Sequence, residues 1–119
     1  MDVIRSYRDL LIWQKSMDLV INVYAQLKHL PSDEVYGLTS QIKRSVVSIP
    51  SNIAEGYGRK SKKDYVRFLR IALGSLYELQ TQLEITNRLN FVKEETLEAL
   101  LDQCNEIERM TNSLITKIN

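Results

Sequence analysis

Ser48, Asn52 and Glu55 follow one another at spacings of 4 and 3, and Ser75, Glu78 and Gln82 at 3 and 4. On helices, each set falls on one face. If the two faces meet, Glu55 and Glu78 form a pair of carboxylates, the residue type that general acid–base catalysis requires. No nucleophile with an adjacent base, metal-ligand cluster or phosphate-cradling glycine motif accompanies them. The expected role of Ser48, Asn52, Glu55, Ser75 and Glu78 is therefore a structural polar network. Arg44, one turn before Ser48, and Arg59, just after Gly58, are the expected partners of its carboxylates, because a buried charge needs a counter-charge or several donors.

The second chemical feature is positive charge. Between residues 59 and 70, Arg59, Lys60, Lys62, Lys63, Arg67 and Arg70 stand against Asp64 alone. Lys63, Arg67 and Arg70 share a helical face by spacing, and Lys43 and Arg44 add charge on the preceding helix. Tyr57 and Tyr65 lie among these cations, where rings can stack on bases. The cluster fits phosphate binding. It carries no signature of sequence-specific recognition. Residues 91 to 119 have the opposite balance, with Lys93, Arg109 and Lys117 against Glu94, Glu95, Glu98, Asp102, Glu106 and Glu108. The whole chain nets only +1.

These side chains must be positioned by helices. Leu10, Trp13, Met17, Val20, Tyr24 and Leu27 recur at 3 and 4 and predict a helical run from Tyr7 to Leu30, closed by Pro31. "PSDE" offers Ser32 or Asp33 as the next N-cap. Leu38, Ile42, Val46, Ile49 and Ile53 mark the second helix, which ends at Gly56 and Gly58. Within it, Pro50 implies either a kink or a break with Ser48 capping a new segment. Ser61 and Asp64 have capping-box spacing ahead of Phe68, Leu69, Ala72, Leu76, Leu79 and Leu83. Gly74 lies mid-helix, where a close helix approach is expected to offset its cost. Asn90 turns the chain into Leu97, Leu100, Cys104, Ile107, Leu114 and Ile118. Four helices with short connections predict an all-α, antiparallel up-down-up-down four-helix bundle occupying residues 1–119 as one domain. Apolar residues off the stripes, namely Ile71, Leu73, Tyr77, Leu101 and Met110, are expected to serve self-assembly.

Composition excludes other classes. One cysteine permits no intramolecular disulfide, and one histidine permits no two-histidine metal site. No cofactor or metal is expected. No apolar run approaches a membrane span. The N-terminus lacks the pattern of a signal peptide, so a cytoplasmic protein without a membrane partner is expected.

The stretch "LTSQIKRSVVSIPSNIAEGYGRKSKKDYVRFLRIALGSLYELQTQLE", residues 38 to 84, resembles the four-helix-bundle proteins encoded in intervening sequences of bacterial 23S rRNA genes. "SIPSNIAEG" and "GSLYEL" are its most specific segments, and "LIWQKSMDLVINVY" and "LKHLPSDEVYGL" resemble the first helix and turn. The matching positions are Arg44, Ser48, Pro50, Asn52, Glu55, Gly56, Arg59, Phe68, Gly74, Ser75 and Glu78. The same fold family includes accessory variability proteins of diversity-generating retroelements, which act with a reverse transcriptase and its template RNA. The resemblance implies a homopentameric ring, a nucleic-acid-related role and no enzymatic activity. The expected function is RNA or other nucleic-acid binding through the basic cluster. The alternative is a structural or protein-interaction oligomer without nucleic-acid contact.

Overall fold

The computed structural model describes residues 3–119. A short 3-10 turn, Tyr7–Asp9, leads into α1 (Leu11–Leu27). A second 3-10 turn, Ser32–Glu34, precedes α2 (Leu38–Tyr57), followed by α3 (Lys62–Arg88) and α4 (Glu94–Ile118). No strand occurs among the described residues.

Cross-helix contacts fix the directions. Ser45 and Ser48 of α2 bond Gln82 and Ser75 of α3, so one index rises as the other falls. Tyr77 and Gln80 meet Glu108 and Asn105 of α4 in the same antiparallel order. Lys15 and Asn22 of α1 meet Glu106 and Gln103, closing the ring of helices. Each helix packs on its neighbours in this ring, and the diagonal pairs α1–α3 and α2–α4 bring no Cα atoms within 8 Å of one another. The result is the antiparallel four-helix bundle, with α2 and α3 its most intimate pair.

The core is one apolar cluster. Ile42, Val46, Ile49 and Ile53 of α2 meet Leu69, Leu76, Leu79 and Leu83 of α3, all essentially solvent-free. Cys104 lies in this core, where burial, with a smaller contribution from the Glu108 charge, pushes its thiol up to about 12.

α1 departs from the expected stripe by one residue. Its buried face is Ile12, Ser16, Leu19 and Val23, whereas Met17 and Tyr24 are exposed and Leu10, Trp13, Val20 and Leu27 are half-buried. Ser16 explains the shift. Its hydroxyl donates to the Ile12 carbonyl at 2.7 Å, so a polar residue sits satisfied on the core face. On α4, Ile115 is buried while Leu114 and Ile118 are only half-buried.

The helix ends also correct the expected chemistry. Neither Ser32 nor Asp33 supplies a side-chain cap to the 3-10 turn. Glu34 does that work for α2, its carboxylate accepting from the Leu38 N–H at 3.2 Å. Helix α2 runs unbroken through Pro50, which excludes a break there. Ser61 caps α3 by accepting from the Asp64 N–H at 3.1 Å. Asn90 takes φ 66°, a left-handed turn conformation that asparagine tolerates.

The two interior glycines differ. A Cβ on Gly56 would lie 2.7 Å from the Phe68 Cβ and 3.2 Å from the Tyr65 carbonyl oxygen. Gly56 therefore lets α3 cross close to the end of α2. Gly74 has nothing within 4 Å of that position, so no close approach within this chain accounts for it.

Candidate nucleic-acid interface

The cations of the α2–α3 turn all lie at one end of the bundle. Arg59, Lys60, Lys62, Lys63, Arg67 and Arg70 are exposed. The sharp turn between Tyr57 and Lys62 brings the end of α2 against the first turns of α3, which places Arg59 beside Phe68 of α3. By chain direction, Arg5, Arg8 and Lys117 belong to the same end. Sequence spacing alone could not associate them with the cluster, because only the antiparallel topology brings these chain ends to that turn.

Lys43 and Arg44 are not part of this group. They precede Arg59 by about 15 residues on α2, roughly 22 Å along the axis. The Lys43 ammonium instead sits 5.5 Å from the Tyr24 ring centroid of α1. Arg44 lines a cavity of about 330 Å³ with Gln41, Ser45, Ser48, Ser75 and Glu78 on the α2–α3 flank. The expected cluster of eight thus divides into a six-residue tip and a separate pair.

Two arginines of the tip rest on one ring. The guanidinium carbons of Arg59 and Arg67 each lie 4.7 Å from the Phe68 ring centroid. Phe68 is only 7% exposed, yet it stands outside the contiguous apolar core. Its cover comes partly from these two cations, a favourable arrangement of charge over an aromatic ring. Arg59 also reaches Glu55 at 3.4 Å, and Arg67 reaches Asp64 at 3.7 Å, both through exposed side chains. Tyr57 and Tyr65 pair at 6.1 Å between centroids, and burial, then the Tyr57 charge, raises the Tyr65 hydroxyl above its ordinary pKa.

The polar layer forms on the α2–α3 contact with altered membership. Ser48 and Ser75 hydroxyls lie 2.9 Å apart, and Asn52 donates to the Ser48 carbonyl and hydroxyl at 2.8 and 2.9 Å. Glu55 and Glu78 are exposed and make no hydrogen bond to these three. Arg44 forms no ion pair with either, and Glu55 turns to Arg59. The layer needs no counter-charge because its buried members are neutral. Its buried centre is Ser45, whose hydroxyl donates to Gln82 at 2.8 Å. Ser45 escaped the sequence reading because it lies one turn before Ser48 on a helix without carboxylates there. No side-chain polar atom is left buried and unpaired among the described residues.

Among the described residues no three metal-binding side chains converge. A cavity of about 780 Å³ lies at the opposite end of the bundle, between the C-termini of α1 and α3 and the start of α4.

With that geometry in place, comparison decides the family. The sequence model for "23S rRNA-intervening sequence protein" matches residues 8–113. The chain belongs to that family. A member of the S23 ribosomal protein family from Bacteroides thetaiotaomicron VPI-5482, whose crystal structure at 1.70 Å was described as a protein of unknown function, is similar throughout. Its identity is 27%, its TM-score 0.81, and the match covers 88% of this chain and 98% of that one. No functionally curated protein matches the chain. The family match covers α1, α2, the basic turn, α3 and α4 as far as residue 113, so the six tip cations lie within the matched segment.

Proposed function

We propose that this protein is a non-enzymatic binding module that takes the phosphate backbone of RNA, or another nucleic acid, at the α2–α3 tip. The observation that carries this reading is the gathering of six exposed cations around one tight turn. Clustered Lys and Arg side chains release condensed counterions when they meet phosphates, and that release supplies sequence-independent affinity. The bundle provides a rigid base for the tip, since α2 and α3 are tied by Ser45–Gln82, Ser48–Ser75 and the Gly56 notch.

Homo-oligomerisation, a pentamer by resemblance, belongs to the same proposal. Repeating the tip several times in one particle multiplies a weak site by avidity. Exposed apolar residues on the outer side of α1, namely Met17, Ile21 and Tyr24, favour such assembly. Ile71 and Tyr77 of α3 are exposed as well, whereas Leu73 is buried and Leu101 and Met110 pack partly on the core. The expected assembly face therefore loses three of its five members. These apolar patches equally suit the alternative of a protein-interaction oligomer without nucleic-acid contact.

The test is a fluorescence titration of labelled structured RNA at two salt concentrations, with wild type and a Lys62→Ala/Lys63→Ala/Arg67→Ala variant. The wild type should lose affinity steeply with salt, and the variant should flatten the slope of log affinity against log salt by about two. Indistinguishable curves would reject the tip, and absence of RNA binding would leave the protein-interaction reading. Light scattering checks assembly, with an expected mass near five times 13.8 kDa.

A further inference from the structure

Six exposed charges can act in two ways. They can form a diffuse electrostatic field, in which any cation replaces any other. Alternatively, some can be held in place before a ligand arrives. The tip contains evidence of the second kind for two of its six members. Arg59 comes from the end of α2 and Arg67 from the second turn of α3, yet both guanidiniums rest at 4.7 Å from one ring centroid. They therefore stand no farther apart than twice that distance. Each is steadied from a second side by a carboxylate, Glu55 through one terminal nitrogen of Arg59 and Asp64 through the inner nitrogen of Arg67. A guanidinium has five N–H donors, so these contacts leave most of each fork free.

Phe68 explains how the pair is built. It is buried but stands apart from the main apolar cluster, against Gly56 near the end of α2. Its Cβ occupies the space that any side chain at position 56 would take. Gly56 thus admits Phe68 to the end of α2, and Phe68 in turn offers its ring to cations from both helices. Lys60, Lys62 and Lys63 have no such support, being exposed and outside the ion pairs and ring contacts of the tip.

We infer that Arg59 and Arg67, seated on Phe68 in the notch left by Gly56, form one preorganised two-guanidinium clamp for backbone phosphate, with Phe68 as its positioning residue. The inference rests on the reading of the tip as a nucleic-acid site and specifies what anchors the ligand there. Planar forks bind phosphate oxygens through paired hydrogen bonds that a lysine ammonium does not reproduce. The ring contact favours one placement of each free guanidinium, so less freedom is lost on binding. Glu55 and Asp64 compete with the phosphate as acceptors. They are exposed, and their pairs are long, so displacement by a phosphate is easy. Lys60, Lys62 and Lys63 then contribute attraction without geometry.

The experiment measures binding of a short fluorescein-labelled oligouridylate by anisotropy across a salt series, using the full chain. Arg59→Lys/Arg67→Lys keeps every charge, so a diffuse field predicts no change. The clamp predicts at least about tenfold weaker binding with an unaltered salt slope. Phe68→Leu, which also keeps every charge, should weaken binding several-fold at the same slope, with the melting curve checking that it folds. The two arginines are exposed, so the lysine variant decides the matter even if Phe68→Leu does not fold. If the lysine variant binds like wild type while Lys60→Ala/Lys62→Ala/Lys63→Ala loses affinity, the clamp is refuted and the tip remains a nucleic-acid site. If wild type itself does not bind, both readings fall.

Discussion

Replacing each interior glycine by alanine should change stability in opposite directions. Gly56 and Gly74 both lie in helix, on α2 and α3. Alanine should therefore favour each helix by up to about 1 kcal/mol. At Gly74 nothing lies within 4 Å of the new methyl, so that gain should appear almost undiminished. At Gly56 the methyl would fall 2.7 Å from the Phe68 Cβ, 3.2 Å from the Tyr65 carbonyl oxygen and 3.3 Å from the Tyr65 Cδ1. The closest of these atoms is fixed to the α3 backbone, so no side-chain rotation relieves the contact. The helices must separate, and overpacking of this kind costs about 1–3 kcal/mol. Set against the propensity gain, Gly56→Ala should destabilise by up to about 2 kcal/mol. Urea unfolding followed by circular dichroism reads both variants, with the midpoint as the measure. If Gly56→Ala stabilised the fold as much as Gly74→Ala, the close α2–α3 crossing would be refuted. If Gly74→Ala lowered stability together with particle mass, Gly74 would be packed against another copy.

Three other outcomes follow from single contacts. Ser45→Ala should cost about 1–3 kcal/mol by leaving the buried Gln82 amide without its donor, and adding Gln82→Leu should recover much of that loss in the same unfolding assay. Cys104, with its thiol raised to about 12 inside the core, should resist Ellman's reagent at neutral pH in folded protein and react at once in denaturant. Tyr77 donates to Glu108 at 2.6 Å, and that bond, followed by burial and the glutamate's charge, raises its pKa above 10.0. The raised group contributes stability fully below its unfolded pKa and loses it as pH rises through the folded value. Alkaline unfolding should therefore show a step that Tyr77→Phe lacks.

The parts of this molecule legible from sequence are those where burial is apolar and periodic. Ile42, Val46, Ile49 and Ile53 repeat at helical spacing with no polar interruption, and all four are buried. Helix α1 was misread by one residue because Ser16 interrupts its true stripe, while Met17 and Tyr24 imitate one on the neighbouring face. A polar residue satisfied by its own helix leaves no periodic trace. Glu55 shows the converse error. Its spacing with Ser48 and Asn52 is correct for a shared face, but the face turns outward along the helix: Ser48 bonds Ser75 of α3, Asn52 bonds back to Ser48, and Glu55 turns to Arg59. Spacing gives a residue's direction around a helix axis. It does not give the depth at which the neighbouring helix stops covering that direction.

The same distinction governs the basic segment. Charge counting groups Lys43 and Arg44 with Arg59, since both lie on the helix that leads into the cluster. An axial rise of roughly 22 Å separates them, longer than the screening length of about 8 Å at physiological salt, so the two groups act independently on a ligand. Charge counting also treated the six tip cations as equivalents. Their equivalence ends at Phe68, which sits in a helical register that reads as core but is covered by Arg59 and Arg67. The segment "NIAEGYGR" therefore has a physical reason for its glycine that turn geometry does not supply. Gly58 takes an ordinary helical φ of −76°, and Gly56 lies within the helix. What Gly56 provides is room for a ring, and what the ring provides is a fixed place for two guanidiniums drawn from different helices. A basic tip built this way depends on the α2–α3 crossing distance, so the proposed clamp predicts that a change in that packing alters phosphate affinity without touching a charge.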